Sequence, residues 1–339
     1  MAGHPDPGAD GRGRFPGDGR LMNRVPIAIS VVVLSYDRVH LLERTLVNCL
    51  RPEVSNGVPF EIIVVDNHPD RLAETRVSRL AADGAPIRYF ADARRNVSIV
   101  RNVGIKAAVG RYVAFIDDDE APDAGWLSEL HACLERTGAD AAFGPKYPVF
   151  EAGEPPAWDP EGWRYTLDYR EPADTPIHLF GRLRKKGKGL GSGNAAFRVA
   201  TCFDTPEPFA VAFGDANGED THLLFRLSLA GKRFVWCPTA VVREFIETDR
   251  TKPSYMITRM KRGSQHYAAS RIATSDRPGL TRVKVTLLGL AQIAVHAGLY
   301  LVSGEWLGGA RYDNRIGMAK GLGKLTYRAP IGFIDEKAA

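Results

Sequence analysis

Cysteine is scarce in this chain of 339 residues. Its four cysteines, Cys49, Cys133, Cys202 and Cys237, stand far apart among apolar neighbours and form no CxxC pair. That spacing offers neither a zinc site nor a disulfide framework and reads as reduced core thiols in a cytosolic protein. An apolar run after Met1 is also missing, so no secretory signal is expected. Neither sign of charge dominates: 45 Lys and Arg face 40 Asp and Glu, a formal charge of +5 with a pI near 9.0. That balance suits phosphate-bearing ligands or an anionic membrane surface as well as nucleic acid. A nucleic-acid partner is not expected, because basic residues interleaved with aromatics in a known module are lacking. No glycine-rich GxGxR loop follows the first apolar run, where the chain reads Leu34-Ser35-Tyr36-Asp37-Arg38. Its absence argues against a nucleotidyltransferase that makes activated sugars.

What is present is an ordinary globular composition, 44% hydrophobic and 25% charged, long enough for one large domain or two smaller ones. Residues 1–24, rich in Gly, Pro, Asp and Arg, are expected to form a disordered leader. Residues 25–250 alternate short β-branched runs with helical stripes. Ile27 to Leu34 is a central-strand run, followed by a helix carrying Leu41, Leu42, Leu46 and Cys49. Phe60 to Val65 is a second strand ending in Asp66 and Asn67, and a polar helix over Arg71 to Ala81 precedes a short strand, Ile87 to Phe90. Ser98 reads as the cap of a helix with Ile99, Val103 and Ala107, closed by Gly110 in the left-handed conformation. Strands are also expected at Tyr112 to Ile116, Ala141 to Phe143, Ala195 to Val199, Phe234 to Cys237 and Ala240 to Val242. Alternation at this spacing predicts a right-handed, mostly parallel α/β sheet. Six prolines with Trp158 and Trp163 between Tyr147 and Arg184 predict irregular structure walling a cleft. Arg182, Arg184, Lys185, Lys186 and Lys188 then place five cations in seven residues, a loop suited to phosphate or simply to solvent.

The strand at Tyr112 to Ile116 stops at three consecutive aspartates, where an open α/β sheet presents its functional groups. Side chains alternate in extended backbone, so Asp117 and Asp119 face one way and Asp118 the other. Two carboxylates about 4 Å apart repel by roughly 1 to 4 kcal/mol. A hard divalent ion, Mg²⁺ or Mn²⁺, with substrate phosphate as a further ligand, turns that repulsion into binding. Glu219 and Asp220 open a helix carrying Leu223, Leu224 and Leu227. On composition alone that pair reads equally as acids favoured by a helix dipole.

Residues 251–339 are expected to form a helical C-terminal extension, with one helix over Ser254 to Arg271 and an apolar one over Val285 to Val302. The latter is roughly 27 Å long, just short of a bilayer core. Lys284, Leu288, Gln292, His296 and Tyr300 fall on one row, which favours a helix lying in the membrane interface. A soluble packing helix and a true span stay open beside it. Arg277, Arg282, Arg311, Arg315, Lys320 and Lys324 are available to anionic lipid.

Five stretches in order carry a resemblance: SVVVLSYDR at 30–38, IIVVDNHPD at 62–70, VRNVGIKAAVGRYVAFIDDDEAPDAGWL at 100–127, GSGNAAFR at 191–198 and GEDTHLLFRLSLAGKRFVWCPTAVV at 218–242. The chain resembles glycosyltransferase family 2, the inverting group with the GT-A fold, and within it the exopolysaccharide, succinoglycan-type branch. The resemblance implies a mixed, mainly parallel Rossmann-like sheet flanked by helices. It implies transfer of a sugar from a nucleotide-diphosphate donor, UDP-sugar foremost, to a hydroxyl of a glycan or polyprenyl-linked saccharide at the inner face of the cell membrane. By the same resemblance, Ser35 and Tyr36 belong to the loop that holds the base, and Asp66 accepts from its ring. Arg101 faces the diphosphate, although Val100 replaces the usual alanine before it. Asp119 is the metal ligand, and Asp117, with Asp118 beside it, approaches the ribose or joins the metal. Asn194 approaches the donor sugar, Asp220 is the general base, and Glu219 supports it. One departure weakens the metal expectation: Arg243 and Glu244 stand where members often carry a metal-joining histidine. The rival readings are a non-catalytic nucleotide- or glycan-binding module of the same fold and the sugar nucleotidyltransferase already disfavoured.

Overall fold

The computed structural model describes residues 26–181, 189–216, 218–303 and 308–330. The expected leader and the basic loop from Arg182 to Lys188 lie outside the described residues. In chain order the elements begin with strand β1 (Ile29–Ser35), helices α1 (Val39–Cys49) and α2 (Pro52–Ser55), β2 (Phe60–Asp66), α3 (Glu74–Ala82), β3 (Ile87–Ala91) and α4 (Val97–Ala107). They continue with β4 (Tyr112–Ile116), β5 (Glu120–Pro122), α5 (Trp126–Thr137), β6 (Ala141–Phe143), β7 (Lys146–Phe150), β8 (Ala195–Arg198) and α6 (Val199–Cys202). After α7 (Glu219–Leu229), β9 (Phe234–Trp236) and β10 (Val242–Ile246) come three long helices, α8 (Pro253–Ala273), α9 (Pro278–Val302) and α10 (Gly308–Leu325).

The main sheet runs β3-β2-β1-β4-β8-β6-β9. β1 pairs parallel with β2 on one side and β4 on the other, while β8 runs antiparallel to both β4 and β6. The result is the mixed, mainly parallel sheet expected. β1 is central because five of its seven residues are apolar, four of them β-branched, and such a run belongs where both faces are covered. Its alternation divides the core: Ile29, Val31 and Val33 pack with Leu42, Leu46, Trp126 and Leu130, and Val32 packs on the other face with Phe115, Phe197, Phe209 and Leu223.

Local details depart from the sequence reading. Asn96, not Ser98, caps α4: its Oδ1 accepts from the Ile99 N–H at 3.2 Å, while the Ser98 hydroxyl donates to the Ala210 carbonyl at 2.9 Å. Gly110 does not close that helix, which ends at Ala107. Its smallness is needed because a Cβ there would sit 2.6 Å from the Ser30 backbone nitrogen. Part of the Pro/Trp segment is regular after all, since β7 pairs with β10 in a small second sheet, β5-β10-β7. Ala240 belongs to a turn, its N–H donating to the Cys237 carbonyl at 3.2 Å, so the last strand runs later than expected.

The C-terminal helices dock on this body through a third apolar cluster of Tyr165, Ile246, Met256, Tyr312 and Ile316, with the Trp158 ring 4.8 Å from that of Tyr312. α10 lies between α8 and α9, at approaches set by glycine. A Cβ on Gly323 would stand 2.3 Å from the Lys261 carbonyl of α8, and one on Gly321 would stand 2.6 Å from Ile293 of α9. Of the row on α9, Gln292 and His296 are turned inward against α10, while Lys284 and Leu288 stay exposed. Gln292 Oε1 accepts from Lys324 Nζ at 2.7 Å, and His296 Nδ1 pairs with Asn314 Oδ1 at 2.9 Å. The apolar residues point out, Leu287 being 60% and Val295 58% exposed. Gln292 and His296 face inward because the two buried partners on α10, Lys324 and Asn314, outcompete water for them.

Candidate active site

After β1 the chain builds β2 and β3 on one side of the sheet, then returns to place β4 on the other side of β1. The carboxyl ends of β1 and β4 therefore part around a crevice, the place where open α/β sheets bind ligands. A cavity of about 620 Å³ fills it. Eight of the ten residues singled out in the sequence line this cavity: Ser35, Tyr36, Arg101, Asp117, Asp118, Asp119, Glu219 and Asp220.

The aspartates sit on a turn that other elements hold from outside. The Thr45 hydroxyl of α1 reaches the carbonyl oxygens of Asp118 at 2.9 Å and Glu120 at 2.6 Å. The Asp117 N–H donates to Glu120 Oε2 at 3.0 Å, and the Phe245 N–H of β10 donates to the Asp119 carbonyl at 2.8 Å. Each carboxylate of the turn meets a cation of the chain itself. Asp119 Oδ2 accepts from Arg38 Nη1 at 2.6 Å and from Arg250 Nη1 at 2.8 Å. Arg38 Nη2 also pairs with Asp118. Lys146 Nζ pairs with buried Glu120 and stands 3.3 Å from Asp117 Oδ2. Burial pushes the carboxyls of Asp118 and Glu120 up, to about 7 and about 8, against the pull of Arg38 and Lys146 respectively. Gly193 must lack a side chain here, because a Cβ would lie 2.5 Å from Lys146 Nζ and 2.7 Å from Asp117 Oδ2.

This donor set does not fit a divalent ion held between Asp117 and Asp119. The lone pairs of Asp119 Oδ2 are taken by two guanidiniums, and Asp117 Oδ2 already has an ammonium. Among the described residues, no group of three or more His, Cys, Asp or Glu stands together as a ligand set.

Across the cavity, the N-terminus of α7 presents Glu219 and Asp220. Glu219 is buried, and its Oε1 accepts from Arg101 Nε of α4 at 3.0 Å. The Arg101 guanidinium also lies over the rings of Phe115 and Phe209, at 5.2 and 5.3 Å. Burial pushes Glu219 up to about 7, with Arg101 opposing and neighbouring Asp220 adding to the rise. Asp220 is half-buried and anchored through Oδ1, which accepts from the Thr221 N–H at 2.5 Å. Its Oδ2 lies toward Gly191, where a Cβ would come within 3.0 Å.

Two expected site residues face away from the cavity. Asp66 is fully buried, and its carboxylate accepts from the N–H groups of His68 at 2.9 Å and Ala73 at 2.8 Å and from the Tyr89 hydroxyl at 3.1 Å. It fixes the turn into α3 and leaves the neighbouring Asn67 to line the cavity. Asn194, in the left-handed region at φ 54°, accepts from Trp126 Nε1 at 2.7 Å and donates to the carbonyls of Pro145 and Ala240, both at 2.8 Å. Its side chain clasps three segments behind the aspartate turn. Sequence reading passed over Arg250, Lys146 and Thr45. The one available signal was electrostatic: four consecutive acids at a strand end, three of them buried, require cations from elsewhere.

The model of glycosyl transferase family 2 matches residues 30–202, more than half of the chain. The chain belongs to that family. Its sheet and the helices around it are the GT-A fold. Over 238 residues it is 27% identical to the succinoglycan biosynthesis protein ExoM of Rhizobium meliloti, covering 70% of this chain and 73% of ExoM. It is 30% identical over 104 residues to a GalNAc(5)-diNAcBac-PP-undecaprenol beta-1,3-glucosyltransferase of Campylobacter jejuni, covering 30% of this chain and 33% of that enzyme. Among solved structures, S. aureus TarS 1-349 in complex with UDP superposes with a TM-score of 0.51 at 17% identity, covering 89% of this chain and 91% of TarS 1-349. That likeness is one of fold. This glycosyltransferase carries its cavity at the switch point of its own sheet, between the ends of β1 and β4.

Proposed function

We propose that this glycosyltransferase moves a sugar from UDP to a hydroxyl of a lipid-linked saccharide, with inversion at the anomeric carbon, during surface polysaccharide assembly. The observation that carries the reading is that one cavity is lined by groups of both kinds the reaction needs: Arg38, Arg101 and Arg250 supply positive charge, and Asp220 offers a carboxylate at the N-terminus of α7. In a direct displacement an acceptor hydroxyl loses its proton while a nucleoside diphosphate leaves with added negative charge. Asp220 takes the proton, and such a base contributes typically about 10²- to 10⁴-fold. The arginine wall steadies the leaving diphosphate. Ser35 and Tyr36 border the base end, and Glu219 holds Arg101 in place. A Mg²⁺ or Mn²⁺ on Asp119, as the family resemblance implies, would have to displace Arg38 or Arg250 from that carboxylate.

UDP is favoured as the donor nucleotide by the likeness to a TarS solved with UDP, and a lipid-diphosphate acceptor by the relative from Campylobacter jejuni. Polysaccharide assembly follows the likeness to ExoM. The outward apolar face of α9 is read as lying in the inner leaflet of the cell membrane, which brings the cavity to lipid-borne acceptors. α9 is bound along its inner side to α10, and α10 to α8, which suits a helix in the membrane plane better than one standing across it.

The test is a donor screen. Purified full-length protein is incubated with UDP-, GDP- and TDP-sugars, with and without Mn²⁺, and nucleoside diphosphate release and thermal shift are scored. Stabilisation and slow hydrolysis by one UDP-sugar support the reading. Binding of no nucleotide sugar under either condition overturns it in favour of a non-catalytic module.

A further inference from the structure

We propose that Arg38 and Arg250 take the place of a divalent ion in this chain and neutralise the donor diphosphate themselves, with Asp119 serving to position them. The inference rests on the transferase reading above. The two guanidiniums reach the same carboxylate oxygen from two separate segments. Arg38 comes from the loop after β1, and Arg250 from the short 3-10 turn Thr248–Thr251 after β10. Their nitrogens lie 2.6 and 2.8 Å from Asp119 Oδ2. An ion of Mg²⁺ size takes its oxygen ligands at about 2.1 Å, along the same lone pairs. It would have to enter against two cations already in contact with its ligand.

The geometry suits phosphate instead. A guanidinium carries five N–H groups in a planar fork that matches phosphate oxygens. Arg38 spends two of its nitrogens on Asp119 and Asp118, and Arg250 spends one on Asp119. Both side chains line the cavity, and both are mostly buried, at 15% and 16% exposure. They are thus held by carboxylates, Arg250 also standing with Nε 3.7 Å from Glu247, while both side chains line the cavity a diphosphate would fill. Charge-assisted hydrogen bonds of this kind are among the strongest that side chains make.

UDP binding to the full-length protein, followed by calorimetry in EDTA and in Mn²⁺, tests the proposal. The expected result is tight binding in EDTA that Mn²⁺ does not improve. Arg250→Ala is expected to weaken binding in EDTA by about tenfold or more. It is also expected to gain a response to Mn²⁺, because only Arg38 then remains on Asp119 Oδ2. Mn²⁺ alone, followed by its EPR signal, should be left free by the wild type and captured by Arg250→Ala. That gain cannot be produced by misfolding, and if Arg250→Ala proves unstable, the wild-type comparison of EDTA with Mn²⁺ decides by itself. UDP binding that requires Mn²⁺ in the wild type overturns the proposal and leaves the transferase reading standing. Absence of UDP, GDP and TDP binding under both conditions overturns both.

Discussion

Arg101 and Glu219 form a buried ion pair that ties α4 to α7, with Nε 3.0 Å from Oε1 and side chains only 9% and 2% exposed. Removing one member of such a pair strands a charge, at a cost of about 3–5 kcal/mol. Glu219→Leu should therefore destabilise by that order, and Arg101→Leu in the same chain should recover part of the loss. Urea unfolding of the two single variants and the double variant measures this; strict additivity would show that the pair does not couple. Burial of Glu219 also sets a pH dependence, which pairing with Arg101 opposes. Glu219 holds its proton up to about 7 when folded, against 4.5 as its ordinary value, because burial disfavours the charge. Between those values unfolding releases a proton, so this group makes stability fall as pH rises through that window. Glu219→Gln should remove the decline, read as the difference in unfolding midpoint between pH 5 and pH 7.5.

His222, one turn further along α7, works in the opposite sense. Its ring stacks on Phe213 at 4.2 Å between centroids, and burial, with Arg226 adding, lowers its pKa to about 4 from 6.5. Unfolding between those values takes up a proton, so this group's contribution to stability is lost as pH falls through 6.5 toward 4. The two slopes oppose each other where the windows overlap, and the wild-type profile alone would hide both. His222→Gln should flatten the acid side of the stability curve relative to wild type. Parallel curves for the two proteins would refute the assignment.

Much of the fold can be read from the chain because its central strands announce themselves. Val31–Leu34 within β1 and Tyr112–Ile116 are continuous apolar runs, and nothing distant is needed to recognise them. The aspartate triplet, Glu219 and Asp220 were legible for a related reason: each ends a strand or opens a helix whose pattern is local. Asp66 and Asn194 turn away from the cavity, which no local pattern foretells, because the direction of a buried polar side chain depends on which partners the neighbouring turns bring. For Asp66 those partners are the N–H groups of His68 and Ala73 and the Tyr89 hydroxyl; for Asn194 they lie on Trp126, Pro145 and Ala240. Arg250 arrives at Asp119 from 131 residues away, a contact no local pattern encodes. α10 escaped notice because Gly308, Gly309, Gly317, Gly321 and Gly323 lower its helix propensity. At Gly321 and Gly323 the missing side chain is what admits the helix between its neighbours.

Asp220→Asn separates base catalysis from donor binding. The amide keeps the shape at the mouth of α7 but cannot accept the acceptor's proton. Turnover is expected to fall by about 10²- to 10⁴-fold, with the UDP dissociation constant unchanged. A fall in UDP affinity of similar size would place Asp220 with the donor and remove it from the acceptor side.

α9 offers the last test, since its outward face has no partner among the described residues. Its most apolar 18-residue window has a mean hydropathy of 1.8 and is 11% buried. Arg277, Arg282 and Lys284 stand exposed at its N-terminal end. Burying a leucine-sized side chain is worth roughly 1.5–3 kcal/mol, and each basic residue near an anionic surface about 1 kcal/mol. Leu287→Glu with Val295→Glu should therefore reduce co-sedimentation with phosphatidylglycerol vesicles by a factor of at least about 100. Both side chains point away from α10, so the unfolding midpoint in urea should stay close to that of the wild type. Neutral phosphatidylcholine vesicles should bind the wild type more weakly, and added salt should weaken only the anionic case. If the wild type ignores both kinds of vesicle and light scattering shows a dimer that the double variant splits, then α9 is a contact between copies of the chain and the membrane assignment fails.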